Sequence, residues 1–262
     1  MRDTEIGSGI GRRADTPGPI DSRLVSLLAP GSLEAEQYRV LRHALEQRRE
    51  EMRVVAVTSA APREGKSTTA INLAAALAQD AETRVLLVDA DLRAPSVARL
   101  LGLDPSLPGL AEATRDRGGN TDAFVRRRPP SRLAILPAGR THENPYEVLK
   151  SAGMARTIEA ARRVYDFIVV DTPPLLPVPD DRALARWVDG FLLVMAAHRT
   201  PRPLLEEGLR ILEHARVAGI VFNGDDRPPS AYYGYYDGRG REEERQVRAF
   251  GSRGGRAGAP WR

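Results

Sequence analysis

VVAVTSAAPREGKSTTAINLAAALA, residues 54–78, is the stretch from which the fold can be read. Val54 to Thr58 form a short run without polar alternation, the pattern of a strand covered on both faces. A tight loop closes on Gly65-Lys66-Ser67, and an Ala- and Leu-rich helical run follows at once. Strand, loop and helix in that order aim backbone N–H groups and a helix N-terminus at one point, which suits an anion. Ala61, Pro62, Arg63, Glu64, Gly65, Lys66, Ser67 and Thr68 therefore form a candidate cradle for nucleotide phosphates. In it Lys66 would reach the β- and γ-oxygens, and the Ser67 hydroxyl would ligate Mg2+. Ala60 stands where such loops usually have their first glycine, and Arg63 where glycine is frequent. Lys66 and Lys150 are the only lysines of an arginine-rich chain, so the bias toward arginine spared a place where a compact ammonium is useful.

Outward from this unit, VLLVD, LAILPA, FIVVD, FLLVMA and GIVF repeat the both-faces-covered pattern, separated by helical stretches. Such alternation predicts an α/β protein with a doubly wound, mostly parallel sheet flanked by helices. Before the first strand, SLEAEQYRVLRHALEQRRE (residues 32–50) predicts an amphipathic helix capped by Ser32, with Leu33, Val40, Leu41, Ala44 and Leu45 as its apolar positions. Residues 1–30, rich in Gly, Pro, Arg and Asp without periodicity, are expected to be a disordered leader outside the fold. The folded domain is then residues 31–225, and residues 226–262 a flexible tail of turn formers and charges. Four of the seven tyrosines, Tyr232, Tyr233, Tyr235 and Tyr236, crowd into AYYGYYD within that tail. No aliphatic partners surround them, which assigns their purpose to the hydroxyls.

Composition excludes several classes of function. The chain has no cysteine, so disulfide frameworks and thiolate sites are ruled out. No apolar run approaches the ~18 residues that a membrane span requires, and the N-terminus has no apolar core of a secretion signal. The formal charge of +4 comes from basic and acidic residues interspersed along the chain, which gives no argument for nucleic acid or for direct binding to an anionic membrane.

Two acidic motifs close later strands: RVLLVDADLRAP places Asp89 and Asp91, and YDFIVVDTPP places Asp171. Ligands of open α/β sheets bind at such strand ends. An aspartate there also serves as a helix cap or turn former. With a phosphate loop in the same sheet, Asp171 and Asp89 become candidate Mg2+ carboxylates and Asp91 a candidate base, the catalytic set being Lys66, Asp89, Asp91 and Asp171.

GKSTTAINLA, DADLR, VVDTPP and LPAGRTHENPYEVLKS together resemble the bacterial tyrosine autokinases of capsule and exopolysaccharide assembly, in the MinD/ParA-like branch of phosphate-loop proteins, over residues 32–240. The resemblance implies an ATP- and Mg2+-dependent protein-tyrosine kinase that phosphorylates its tyrosine cluster between subunits. It implies that Glu36, Arg39 and Arg42, matching an E-x-x-R-x-x-R signature, join subunits into a ring, although three charges at helical spacing also suit a plain solvated face. For Asn223 it implies a contact to the adenine base. With no anchor fused to this sequence, the stand-alone members are the better likeness, implying a cytoplasmic protein recruited to the inner face of the membrane by a polysaccharide co-polymerase that activates it. Two other readings stay open: a partitioning-type ATPase switch without tyrosine chemistry, and a non-catalytic adaptor of an export complex. Switches of the first kind usually carry a further lysine where this chain has Ala61.

Overall fold

Continuous apolar runs can form strands only where both sheet faces are covered, and the covering here is complete at the centre of the sheet. The computed structural model describes residues 18–140, 143–176 and 178–225. Along the chain lie α1 (Val25–Leu28), α2 (Leu33–Glu46), β1 (Val54–Ser59), α3 (Lys66–Leu77), β2 (Val85–Asp89), α4 (Val97–Leu100), α5 (Leu110–Arg115), β3 (Arg126–Arg127), β4 (Ala134–Leu136), α6 (Pro145–Lys150), α7 (Ala152–Val164), β5 (Phe167–Asp171), α8 (Asp180–Leu184), β6 (Gly190–Ala196), α9 (Arg202–Ile211) and β7 (Val217–Asn223). The strands form one sheet of order β3-β4-β2-β5-β1-β6-β7. Every neighbouring pair is parallel except β3 with β4. The doubly wound, mostly parallel sheet expected from the sequence is thus what the chain forms.

Every residue of β1, β2, β4, β5 and β6 is buried. The period of two divides them between two layers: Val55 and Val57 face Ile71, Leu73 and Leu77 of α3, while Val54 and Ala56 join Met154 and Ile158 of α7. The alanines of α3 let this helix lie close against the sheet. Emptying one of its large positions, as in Leu73→Ala, would cost about 2–5 kcal/mol.

Three sequence expectations change. Residues 18–30 are part of the fold: Leu24 is fully buried, and the backbone N–H groups of Gly18 and Asp21 donate to the carbonyls of Gly102 and Leu100. The physical reason is Asn72, a buried amide in an otherwise apolar helix face. Its Oδ1 accepts the Ser26 N–H at 2.9 Å and its Nδ2 donates to the Arg23 carbonyl at 2.9 Å as well as to the Thr68 carbonyl of α3 at 3.0 Å, so the N-terminal segment supplies the partner of a buried amide oxygen. Second, α2 ends at Glu46, four residues early. Ser32 does cap it, accepting the Ala35 N–H at 3.1 Å, but Leu33 and Val40 face outward at 57% and 50% exposure while Ala35 and Leu45 are buried. Third, β7 is an edge strand rather than a doubly covered one, with Ile220 and Phe222 exposed.

The candidate active site

Register brings the acidic motifs to the phosphate loop. In the ladders Asp89 of β2 pairs with Asp171 of β5, and Asp171 pairs with Val57 of β1, so three strand ends deliver two carboxylates and the loop to one place. The segment after Asp171 is fastened beside that loop. The Thr172 hydroxyl donates to the Val57 carbonyl at 3.1 Å, the Thr58 hydroxyl to the Pro173 carbonyl at 3.1 Å, and the Leu175 N–H to the Ser59 carbonyl at 2.8 Å.

The loop is held from inside and outside. Gly65 sits at φ 94° as the cap of α3, and a Cβ there would lie 1.9 Å from Asn223 Nδ2. Only glycine fits both demands. Arg63 has φ 66°, a left-handed conformation that glycine adopts without cost and an arginine does not. The Glu64 side chain turns inward, accepting the Ala61 N–H at 2.9 Å and the Thr200 hydroxyl, while Thr200 Oγ1 accepts the Ala196 N–H at 2.9 Å. Asn223, at the end of β7, donates from Nδ2 to the Glu64 carbonyl at 3.0 Å. Its amide, expected at the adenine base, here braces the loop. Ala61, Pro62, Ser67 and Thr68 complete the loop and its entry into α3.

Lys66 lies among the carboxylates. Its Nζ is 2.7 Å from Asp91 Oδ2, 3.8 Å from Asp171 Oδ1 and 3.3 Å from Ser67 Oγ. Burial alone would push the ammonium toward losing its proton, but the charges of Asp171 and Asp91 outweigh it and hold the pKa above the ordinary lysine value. Asp171 is fully buried and neither of its oxygens has a hydrogen-bond partner. Burial raises its carboxyl above the usual range, opposed by Lys66. Asp89, also fully buried, is raised by burial and by the neighbouring Asp171. Its oxygens nevertheless have partners: Oδ1 accepts the Asp91 N–H at 3.2 Å, and Oδ2 accepts those of Ser96 and Val97 at 3.2 and 3.0 Å. Asp89 therefore shapes the loop that leads into α4, which is the helix-cap use that the sequence left open.

Sequence reasoning passed over two contributors. Arg93, two residues beyond Asp91, makes a two-pronged ion pair with the buried Asp180, at 2.8 and 3.0 Å, and so ties the first acidic motif to α8. Its place in DADLR was the available signal. Thr200 carried none, since the loop after β6 reaches Glu64 only through tertiary structure. On α2, Arg39 pairs with Glu36 at 2.7 Å, whereas Arg42 reaches Glu46 at 2.6 Å and the Ala76 carbonyl of α3 at 3.0 Å. Arg42 is thus engaged within its own chain. Tyr232, Tyr233, Tyr235 and Tyr236 lie outside the described residues. Among the described residues, no helix is long and apolar enough to cross a membrane.

A family profile described as an AAA domain matches residues 52–198. The chain is 35% identical over 217 residues to tyrosine-protein kinase YwqD of Bacillus subtilis, covering 81% of this chain and 90% of that protein. It is 38% identical to the succinoglycan biosynthesis transport protein ExoP of Rhizobium meliloti, covering 80% of this chain and 27% of that one. Among solved structures, the kinase domain of the Escherichia coli tyrosine kinase ETK superposes with a TM-score of 0.72 at 28% identity, covering 79% of this chain and 82% of that domain.

Proposed function

Because the chain belongs to the bacterial tyrosine-protein kinases, with a nucleotide-binding P-loop core, we propose that it moves the γ-phosphoryl group of ATP onto Tyr232, Tyr233, Tyr235 and Tyr236 of a neighbouring copy, and thereby regulates polysaccharide polymerisation and export. The observation that carries this reading is the Lys66 ammonium held between Asp91 and Asp171, within the field of Asp89, with neither Asp171 oxygen hydrogen-bonded. Three carboxylates and one ammonium leave a negative cluster beside a loop suited to anionic phosphate, an arrangement that favours a cation between them.

Its donors are hard oxygens, which suit Mg2+, and Asp171 with the Ser67 hydroxyl would hold the ion while Asp89 keeps the adjoining loop in shape. When bound, the ion neutralises charge on the transferring phosphoryl group. Lys66 turns from Asp91 to the β- and γ-oxygens as nucleotide arrives, which releases Asp91. The freed carboxylate orients the incoming phenol and accepts its proton. The phenolic oxygen then forms a bond to phosphorus, the bond from phosphorus to the β-phosphate oxygen breaks, and ADP leaves. Loop backbone N–H groups, braced by Glu64 and Asn223, keep the phosphates in line with the phenol.

The subunit contact is assigned to the outer face of α2, where Glu36 and Arg39 stand beside the exposed Leu33 and Val40. Apolar side chains facing outward next to a charged pair are a better basis for a ring-forming contact than charge alone. Arg42 supports that face from within. A membrane polysaccharide co-polymerase is the proposed activator, bringing the kinase to the inner face of the membrane. The likeness to 27% of ExoP, a biosynthesis transport protein, supports that setting.

The test mixes two variants with Mg-ATP: a donor with all four tail tyrosines changed to Phe, and an acceptor carrying Lys66→Met. Phosphotyrosine on the acceptor's tail, located by mass spectrometry, is the expected result. Its absence from all four positions overturns the tail assignment.

A further inference from the structure

At the far end of α3 from the phosphate loop lies a crevice of ≈ 290 Å³ between α1, the C-terminal part of α3 and the loop joining β3 to β4. Its walls carry two kinds of group. Leu27, Ala78 and Pro130 are apolar, whereas Ser26, Arg128 and Arg132 bring a hydroxyl and two guanidiniums. Among the described residues, no aspartate or glutamate lines it. Ser26 is only 4% exposed and its Oγ has no hydrogen-bond partner, and the buried Nε of Arg128 has none either. Buried donors without acceptors are destabilising, so their retention asks for an acceptor.

Both arginines are fixed by backbone carbonyls and not by carboxylates. Arg128 donates from Nη2 to the Gly18 carbonyl at 2.7 Å, and Arg132 from Nη1 to the Ala81 carbonyl at 3.0 Å. Among the described residues neither guanidinium forms an ion pair, so both are held in place by carbonyls alone. Two fixed guanidiniums and a hydroxyl at an apolar crevice match a doubly charged oxyanion attached to a flat apolar body.

We infer that this crevice binds an aryl phosphate monoester, the chemistry of a phosphotyrosine side chain. The ring would lie against Leu27, Ala78 and Pro130, and the phosphate would accept from the guanidiniums of Arg128 and Arg132, while the Ser26 hydroxyl and Arg128 Nε, buried in the crevice wall, would turn to join it on binding. Taking a phosphorylated tail from a second copy as the source rests on the tail phosphorylation proposed above. A kinase with such a site retains its own product away from its catalytic centre.

Calorimetric titration of the full chain, saturated with a non-hydrolysable ATP analogue, tests the site with phenyl phosphate, inorganic phosphate and phenol. Phenyl phosphate is expected to bind at least about tenfold more tightly than either part alone. Ala78→Leu fills the crevice and Ser26→Ala removes the orphaned hydroxyl; each should weaken phenyl phosphate about tenfold or more while thermal unfolding stays cooperative and the analogue still binds. Arg128→Gln should do the same, and if loss of its Gly18 contact unfolds the chain, the other two variants decide. Undiminished phenyl phosphate affinity in a folded Ala78→Leu, or equal affinity for inorganic phosphate, overturns the site. A synthetic phosphopeptide of residues 231–237 should bind at least as well as phenyl phosphate, and the unmodified peptide should not. Binding of phenyl phosphate with rejection of the phosphopeptide overturns the tail as source and leaves a free aryl phosphate as the ligand. Failure of tail phosphorylation would appear in the mass spectra and not in these titrations, which supply the phosphate ready made.

Discussion

Aspartates stand at both ends of the parallel strands, and the two ends treat them in opposite ways. Before β6, Asp189 accepts the N–H groups of Arg53 and Val54 at 2.9 and 2.7 Å and an ion pair from Arg162 at 2.7 Å. Before β5, Asp166 pairs with Arg49 and Arg84. At the far ends, Asp171 has no hydrogen-bond partner and shares one ammonium with Asp91. Partnered carboxylates lock the strand starts, while Asp171, short of partners at the end of β5, is destabilising until a ligand arrives, although Asp89 at the end of β2 is held by three N–H groups. Charge compensation therefore separates the structural end of this sheet from the chemical one.

The sharpest way to break that contrast is a matched pair of substitutions. Asp171→Asn should lower tyrosine phosphorylation by about a thousandfold or more, yet raise the stability of the ligand-free protein by roughly 1–3 kcal/mol, because it removes a buried charge whose burial the shared Lys66 ammonium, 3.8 Å away, does not offset. Asp189→Ala should act in reverse, costing roughly 2–3 kcal/mol in denaturant unfolding with ATP affinity unchanged. Equal signs in the two unfolding experiments would refute the division.

Next in size is the dependence on pH. Asp171 and Asp89 have native pKa values raised above the unfolded ones, so the native state holds their protons more tightly and its stability falls as pH rises from the ordinary carboxylate range through the raised values. Asp166 behaves oppositely. Burial raises its pKa, but the N–H and guanidinium of Arg84 and the charge of Arg49 outweigh burial and lower it, so its contribution is present above the usual carboxylate value and lost as pH falls through the lowered one. Melting temperatures of the ligand-free protein should therefore decline from weakly acid toward neutral pH, and Asp171→Asn should flatten that decline. An unchanged slope would count against Asp171 as its origin.

Smaller effects sharpen the picture of the loop. Gly65→Ala should prevent nucleotide binding, since its Cβ meets the Asn223 amide, and Asn223→Ala should restore part of that binding in the double variant. Arg63→Gly should stabilise the protein by about 1 kcal/mol by releasing a left-handed arginine. A loss of stability there would show that the Arg63 side chain contributes more than its backbone conformation costs.

Much of the molecule was legible in residues 54–78, because a doubly covered strand, a glycine-closed loop and a helix are local consequences of residue type. The strand endings at Asp89 and Asp171 were legible for the same reason. Tertiary structure decided what those residues touch. The buried Asn72 made residues 18–30 part of the fold, although their composition reads as disorder, because a polar group inside a helix face must find partners that composition does not name. Register set Asp171 beside Asp89, and only the packed structure left the first carboxylate without a hydrogen bond, near the Lys66 ammonium, while giving the second to the N–H groups of Asp91, Ser96 and Val97. Thr200 and Asn223 reach the loop across 136 and 159 residues of sequence. Local propensity determined the elements, whereas the partnering of each polar group depended on distances that exist only once the sheet has closed.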